Sequence, residues 1–260
     1  HPKPLSVSTP GAYAGLLRGA FVEPAFEDRR ERIASGVRKL AESAGGIAGV
    51  DTALLDEVTG LCEWPVPLLG RFDEVFLDVP QEALIETMQK NQKYFPVFSD
   101  DGSLLPRFIT VSNIESQAPD LVRAGNERVI RPRFADAKFF WDQDRRTPLA
   151  ERREALKSIV FQHKLGSVWE KSERVARLCR TIAEALGEDP GPIERAARLA
   201  KCDLVTQMVG EFGSLQGIMG RYYAAHDGEP PCVADAMEEQ YLPRHAGDRL
   251  PQTPCGTVLA

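Results

Sequence analysis

The residues of this chain best suited to chemistry by type and spacing are Lys171, Cys202 and Asp203. Lys171 begins KSERVARL, and Cys202 and Asp203 are adjacent in LAKCDLVTQMV. A His-Asp pair at 202 and 203 would bind a divalent cation, which lowers the pKa of a bound water. The layout also resembles a metal-binding helical fold in which a histidine stands where this chain has Lys171. A cationic lysine cannot ligate a metal at neutral pH, and cysteine does not suit a site that also contains an ammonium group. We therefore expect these to be vestigial metal-site positions that bind no metal.

Other catalytic constellations are not evident in the sequence. His226 and Asp227 precede a glycine and two prolines, which indicates a loop, and His163 and His245 have no partner at ligand spacing. GxSxG, P-loop and HExxH motifs are missing. Four glycines within 210–220 follow a predicted helix, so they indicate tight turns and close packing instead of a dinucleotide site. We expect no catalytic residue in this chain.

The distribution of charge suggests a different kind of function. The net charge is −6, yet residues 123–180 carry fifteen Lys or Arg against eight Asp or Glu, which leaves −13 for the rest. A basic middle in an acidic chain can be an electrostatic footprint for phosphate, although solvated helix faces explain it equally well. The candidate RNA-binding residues are Arg128, Arg131, Arg133, Arg145, Arg146 and Arg174.

Aromatic residues lie beside these arginines and allow two interpretations. Aromatic rings could stack on unpaired bases while arginines bind phosphate. Alternatively the rings belong to the core, which we favour for the aromatics, and the arginines pair with Glu127 and Asp136. For the arginines, both interpretations stay open. The rings in question are Phe134, Phe139, Phe140 and Trp141.

Composition places the chain among globular proteins of one large or two ordinary domains, with 260 residues of which 43% are hydrophobic. An apolar run near 18 residues, as a membrane span requires, does not occur. Five widely spaced cysteines without CxxC argue against a disulfide framework or zinc module and favour a reducing cytoplasm. The first residue is not Met and the last residues are apolar, so we expect an internal piece of a longer protein.

Hydrophobic periodicity predicts an α+β domain over residues 23–147, after a connecting segment at 1–22 with a short helix at 11–20. The predicted elements are helices at 27–46, 52–61 and 81–90, strands within 65–80, and a β-hairpin at 93–114 that turns at Asp101-Gly102.

Residues 148–260 are predicted to form an all-α domain. Ser167 and Glu170 have capping-box spacing, ahead of one apolar stripe made of Val175, Leu178, Cys179, Ile182 and Leu186. A further helix at 192–209 is apolar on two sides, which is typical of a helix inside a bundle. Cys202 and Asp203 would then be buried, where a lone carboxylate needs a partner. The Lys171 ammonium is the candidate for that partner.

Several longer stretches are specific enough to identify a family together. They are QKYFPVF (92–98), LLPRFITVSNIES (104–116), GNERVIRPRFADAKFFWDQDR (125–145), FQHKLGSVWEKSERV (161–175), KCDLVTQMVGEFGSLQGIMGRYYAAHDGEP (201–230) and EEQYLPRHAGDRLP (238–251). Together they resemble the β subunit of the bacterial two-subunit glycyl-tRNA synthetases, from end to end and in order.

This resemblance implies a function, partners and a fold. The whole enzyme ligates glycine to its tRNA with ATP and Mg at a catalytic site on the α subunit. The β subunit contributes mainly tRNA recognition, in a heterotetramer in the cytoplasm. Residues 23–147 are similar to a B3/B4 domain. Residues 148–260 are similar to an HD domain, truncated at its C-terminus, whose metal ligands are replaced.

Three alternatives stay open at this point. The first is an HD-type metal-dependent phosphohydrolase with an altered site. The second is a helical scaffold that binds only protein, namely the α subunit or another β subunit. An editing esterase is a weaker alternative, since the α+β domain shows no matching catalytic residues.

Overall fold

The computed structural model describes residues 4–260, so residues 1–3 of the predicted connecting segment lie outside the described range. Contacts divide the chain into two compact units, His1–Asp136 and Ala137–Ala260. Within the described range, no helix combines the length and the apolar character needed to cross a membrane.

This division falls inside a long helix and not at 147/148, where the sequence pattern changes. The last turns of that helix belong to the second unit because Trp141 stacks on Tyr223 and Asp144 accepts a hydrogen bond from the Tyr223 hydroxyl. The boundary between the B3/B4-like and HD-like regions stays a prediction.

The first unit combines helices with one small sheet. In chain order it contains α1 (Tyr13–Gly19), α2 (Phe26–Ser43), β1 (Ile47–Ala48), α3 (Thr52–Leu61), β2 (Val66–Arg71), α4 (Gln81–Glu86), β3 (Phe95–Phe98), β4 (Leu104–Ser112) and most of α5 (Pro119–Asp144). A 3₁₀ turn precedes α1 at Pro10–Ala12, another lies at Glu74–Asp78, and a π-helical turn at Thr87–Gln92 follows α4.

The sheet has the strand order β1-β3-β4-β2, with antiparallel pairing throughout. One of its faces packs against α2 and α3, whose side chains Ile33, Val37 and Leu55 are buried with Phe95 and Ile109 of the sheet. Helical spacing of the apolar residues thus directs one side of each helix onto the strands.

Local sequence signals determine several of these boundaries. The Asp51 side chain accepts the Leu54 N–H at 2.8 Å and caps α3. The predicted hairpin is confirmed, because β3 pairs with β4 around Gly102, whose φ of +83° suits glycine. The helix predicted at 27–46 is likewise confirmed as α2, although it ends earlier, at Ser43.

Two predictions for the first unit need correction. Of the strands predicted within 65–80, only β2 is present. The chain leaves the strand conformation there because Asp73 accepts the Val75 N–H and starts the 3₁₀ turn. The 26-residue helix α5 was not anticipated at all. It places Ile130, Phe134 and Ala137 on one buried stripe at helical spacing.

The second unit is a set of short helices after the last turns of α5. These are α6 (Leu149–Arg152), α7 (Val168–Leu186), α8 (Pro190–Leu199), α9 (Gln207–Glu211), α10 (Ile218–His226), α11 (Pro231–Glu239) and α12 (Pro254–Leu259). 3₁₀ turns lie at Arg153–Ser158, Cys202–Val205 and Gly213–Leu215.

A two-stranded hairpin shows that the all-α prediction for residues 148–260 was wrong in detail. Strands β5 (Val160–Gln162) and β6 (Gly166–Ser167) pair antiparallel. Gly166 has a φ of +86°, and the Gln162 side chain accepts the N–H of Lys164, so local polar contacts support a turn.

The capping box of α7 is confirmed, but its predicted apolar stripe is only partly buried: Cys179 is buried, whereas Leu178, Ile182 and Leu186 are exposed. The Ser167 and Glu170 side chains cap each other's backbone N–H groups. Small side chains such as Cys179 and Ala183 face the neighbouring helices and allow close packing, whereas Leu178 is 62% and Leu186 63% exposed.

The predicted helix at 192–209 is confirmed only as far as Leu199, where α8 ends, and is wrong beyond it, since a 3₁₀ turn follows. If the helix continued, the backbone N–H groups of Gln207 and Met208 would donate to carbonyls of the preceding turn. Instead the side chain of Asp144, distant in sequence, binds these N–H groups and begins α9 there. Cys202 and Asp203 are nevertheless both buried, as predicted.

The cysteine prediction also needs a correction. Cys232 of α11 and Cys255 of α12 form a disulfide with Cα atoms 5.7 Å apart. The argument against a disulfide framework did not anticipate this single pair, which forms because α11 and α12 pack together. Cys62, Cys179 and Cys202 are free and buried.

Candidate functional site

Asp203, the carboxylate of the predicted vestigial site, receives hydrogen bonds from the start of α10. The N–H of Gly217 donates to its Oδ2 at 2.6 Å, and the N–H of Gly220 adds a further favourable contact. A Cβ atom at Gly220 would lie 3.1 Å from Oδ2, which explains a glycine so close to the carboxylate. Asp203 therefore acts as an acceptor that holds a helix N-terminus.

Burial dominates the electrostatics of Asp203. Its Oδ1 atom has no hydrogen-bond partner, and desolvation raises the pKa of the carboxyl to about 6 despite the Gly217 N–H and the nearby Lys201 charge. Near neutral pH this side chain can exchange a proton inside the fold.

Lys201 supplies the positive charge near Asp203. Its Nζ donates to the Tyr241 hydroxyl at 2.7 Å and lies 3.9 Å from the centroid of the Tyr241 ring. Burial lowers the pKa of Lys201 to about 8, Asp203 opposes that change, and Lys171 adds to it. The sequence had suggested Lys171 as the partner of Asp203, and the structure gives this role to Lys201.

Lys171 and Cys202 occupy environments that do not favour metal ligation. The Lys171 ammonium lies 4.3 Å from the centroid of the Phe161 ring, a cation–π contact. The Cys202 thiol contacts the Arg198 carbonyl at 3.7 Å, and burial raises its pKa to about 12. Because only a thiolate is a good ligand or nucleophile, Cys202 is inert at neutral pH.

A divalent cation is therefore a poor fit to this donor set. Among residues 4–260 no three or more His, Cys, Asp or Glu side chains are grouped so that they could hold a metal ion. Position 171 offers an ammonium, position 202 a protonated thiol, and Asp203 is committed to the α10 N-terminus.

Asp144 is the polar residue of this unit that the sequence did not single out. It is 2% exposed and accepts the N–H groups of Gln207 and Met208 and the Tyr223 hydroxyl, each at 2.9 Å. The guanidinium of Arg152 lies 3.5 Å from it. These partners are 8 to 79 residues away in sequence, so only a weak signal, an acid beside the buried Trp141, could have indicated the role.

Two further acids have related roles. Glu239, buried in α11, accepts the N–H of Gln252 at 2.8 Å and the hydroxyl of Thr253, the residue that caps α12. Asp227, predicted to lie in a loop, follows α10 and accepts the N–H of Leu149 at 2.7 Å. These two carboxylates, like Asp144 and Asp203, thus bind backbone donors.

The three central candidate arginines all lie on α5 in the first unit. Arg128, Arg131 and Arg133 are exposed, and none forms an ion pair with another described residue. Glu127, the partner considered for them, accepts the N–H of Arg71 instead. In a regular helix Arg128 and Arg131 share a side, while Arg133 lies nearly opposite Arg131, so the three do not form one patch.

The other three candidates belong to the second unit. Arg145 pairs with Asp142 at 2.8 Å and stacks over the Trp141 ring at 4.5 Å. Arg146 is exposed and Arg174 is half-buried. Of the four aromatics, Phe134 and Trp141 are buried as favoured, whereas Phe139 is 53% exposed.

Comparison with known proteins decides the family. The family model described as glycyl-tRNA synthetase beta subunit matches residues 1–260. The chain belongs to this family. The glycyl-tRNA synthetase resemblance seen in the sequence is thereby confirmed over the whole chain.

Curated relatives give the degree of similarity. The chain is 57% identical over 261 residues to a glycine--tRNA ligase beta subunit of Marinobacter nauticus. It is 54% identical over 260 and 259 residues to those of Pseudomonas putida and Stutzerimonas stutzeri. Each comparison covers 100% of this chain and 38% of the relative, so the chain spans about two fifths of the relatives' length.

The raised pKa of Asp203 predicts a pH-dependent contribution to stability. Because the folded pKa of about 6 exceeds the ordinary aspartate value of 3.8, the stabilisation is present below pH ~4 and is lost as the pH rises through ~6. Asp203→Asn removes this titration. The free energy of unfolding of the wild type, relative to the variant, should fall between pH 4 and 7 in urea denaturation. A difference that is constant over this range would contradict the assignment.

Asp144 gives a second stability prediction. Asp144→Ala leaves two backbone N–H groups, the Tyr223 hydroxyl and Arg152 without their buried acceptor, so it should cost about 3–5 kcal/mol. Denaturation followed by tryptophan fluorescence measures the change. Asp136→Ala, at an exposed position of the same helix, is the matched control and should stay within about 0.5 kcal/mol. Equal effects at the two positions would show that Asp144 does not hold α9.

Proposed function

We propose that this chain is part of the β subunit of a glycyl-tRNA synthetase and contributes tRNA recognition and subunit assembly to ATP-dependent attachment of glycine to its tRNA. The observation that carries the proposal is the family match over residues 1–260, together with relatives named glycine--tRNA ligase beta subunit. Exposed arginines without ion pairs on α5 support the RNA-contacting part.

The chain itself is proposed to be non-catalytic. Cys202 is held as a protonated thiol, Lys171 is engaged with Phe161, and Asp203 binds the start of α10. ATP and Mg are accordingly assigned to the active site of the α subunit, and this chain requires no cofactor of its own.

The two units support the finer fold proposals. A small antiparallel sheet with α2 and α3 on one face is compatible with a B3/B4-like domain at 23–147. The helices that follow are compatible with an HD-like domain at 148–260 with a degenerate metal site. Lys171 lies close enough to lower the pKa of Lys201, which in turn interacts with Asp203, so the three vestigial positions belong to one region.

The proposed partners are the α subunit and the glycine tRNA, in a heterotetramer that acts in the cytoplasm, where translation takes place. The exposed stripe of Leu178, Ile182 and Leu186 on α7 supports the assembly part, since such stripes are typical of protein interfaces. The same stripe favours the alternative of a helical scaffold that binds only protein.

The α5 arginines distinguish tRNA recognition from the scaffold alternative. Combined Arg128→Ala, Arg131→Ala and Arg133→Ala in the full-length subunit with its α partner should weaken tRNA binding. It should also make the dependence of log K on log salt shallower, by up to ~0.9 for each lost phosphate contact. Discrimination between tRNAs should change little, since phosphate contacts do not read sequence. Fluorescence anisotropy against salt concentration measures both quantities.

A matched control uses Arg38→Ala, Lys39→Ala and Arg244→Ala. These three exposed basic residues lie outside the basic middle, and none forms an ion pair with another described residue. They remove the same charge and should leave the salt dependence nearly unchanged. If the α5 variant binds and aminoacylates tRNA like the wild type, the arginines are only solvated, and the scaffold function becomes the better proposal.

A further inference from the structure

A second basic feature of the first unit lies at the free edge of the sheet, away from the arginines considered so far. Strand β2 is an edge strand, paired only with β4 in the sheet order β1-β3-β4-β2. A cleft of about 480 Å³ opens between this edge and α5. Three arginines line it: Arg71 from β2, Arg107 from β4 and Arg123 from α5.

Arg71 and Arg107 are held opposite each other by the strand register. They are direct partners in the antiparallel β2–β4 ladder. Like charges at directly opposite positions disfavour a sheet, because the Cβ atoms are only about 5 Å apart. Two residues earlier the same register pairs Leu69 with Ile109, which pack in the core beneath α2. A register shift would expose that apolar pair, so the fold enforces the arginine pair.

Neither of these guanidinium groups is neutralised within the described chain. Arg71 and Arg107 form no ion pair there, and Arg107 donates only to the carbonyl of its neighbour Pro106, at 3.2 Å. Glu127, the nearest carboxylate of the cleft wall, accepts the backbone N–H of Arg71 at 3.0 Å. That carboxylate therefore fixes the strand edge instead of pairing with a guanidinium group.

The third arginine brings the cleft to a net positive charge. Arg123 pairs with Asp120 at 2.5 Å, an exposed contact between neighbouring turns of α5. Arg71, Arg107 and Arg123 thus outnumber the two cleft carboxylates, Asp120 and Glu127. An exposed pair of this kind contributes little to stability, so Arg123 can turn toward a ligand at small cost.

We propose that this cleft binds a phosphate group of the RNA backbone, with Arg71 and Arg107 as the two principal donors and Arg123 as a third. The planar guanidinium fork matches two oxygens of a phosphate, and a bound anion would remove the repulsion within the arginine pair. The proposal rests on the tRNA-binding function proposed above and assigns to it a site that the α5 arginines do not include.

The position of Arg123 favours a polymer over a free phosphate ion. Arg123, Glu127 and Arg131 follow at intervals of four residues, so they lie along one side of α5. Arg131 is about 12 Å further along the helix axis than Arg123. A single RNA strand can touch both positions, whereas one phosphate ion reaches only the cleft.

The test uses the full-length subunit with its α partner, with Arg71→Gln and Arg107→Gln combined. We expect affinity for tRNA to fall ~10-fold or more at ~0.1 M salt, with a salt dependence shallower by up to ~0.9, the value for one lost phosphate contact. Arg71→Lys with Arg107→Lys should keep the salt dependence but lose part of the affinity, because lysine lacks the fork. The melting temperature of the glutamine variant should be unchanged or higher, since a repulsive pair is removed.

The control is Arg18→Gln with Arg30→Gln, which removes the same charge from the same unit at positions that pair with Glu23 and Asp56. Unchanged tRNA affinity and salt dependence in the Arg71 and Arg107 variant, or equal losses in the control, would overturn the site. If the α5 triple variant still weakens tRNA binding, only this inference fails. If neither the cleft variant nor the α5 triple variant weakens tRNA binding, the proposed function fails as well.

Inorganic phosphate separates the two sources of the same chemical group. The melting temperature of the wild type and of the glutamine variant is measured with inorganic phosphate at constant ionic strength. Phosphate that stabilises only the wild type, combined with equal tRNA affinity of the two proteins, would assign the cleft to a free phosphate and overturn the RNA proposal.

Discussion

The second unit depends on one constraint, that a carboxylate removed from water must find hydrogen-bond donors. Its buried acids Asp144, Asp203 and Glu239 find them in backbone N–H groups at the starts of helices or just before them. Each acid thereby fixes the point at which a short helix begins. The broken path of this unit follows from these three contacts, because a continuous helix through 192–209 would leave the Asp144 carboxylate without two of its donors, the N–H groups of Gln207 and Met208.

The same constraint explains why the residues at the predicted vestigial metal site have a structural role. Asp203 would be a natural ligand by residue type, yet its Oδ2 is bound by Gly217 and its nearest cation is Lys201. Cys202 remains a thiol because burial raises its pKa to about 12. Chemistry that requires a metal-bound water has no suitable donor set at these positions. The features for which we propose a function are exposed ones, namely the α5 arginines, the α7 stripe and the cleft beside β2.

Sequence reasoning succeeded where the signal is local and failed where it is not. The capping box of Ser167 and Glu170 and the hairpin around Gly102 depend on residues a few positions apart. Burial of Asp203 followed from helical periodicity, although its partner was misassigned to Lys171. The role of Asp144 could not be predicted, because the N–H groups it binds are 63 and 64 residues away. The Arg71–Arg107 pair likewise becomes visible only once the β2–β4 register is known.

The central claim, that Asp203 is a structural acceptor and not a metal ligand, is tested most directly by its own titration. The carboxyl ¹³C resonance of Asp203 in the full-length subunit, labelled at aspartate Cγ and assigned with Asp203→Asn, is followed from pH 3 to 9 with and without Mn²⁺ or Zn²⁺. The account predicts a midpoint near pH 6, as burial dictates, unchanged by either cation. A midpoint at or below about 4, the value of an unperturbed aspartate, would contradict it. So would broadening of the resonance by substoichiometric Mn²⁺.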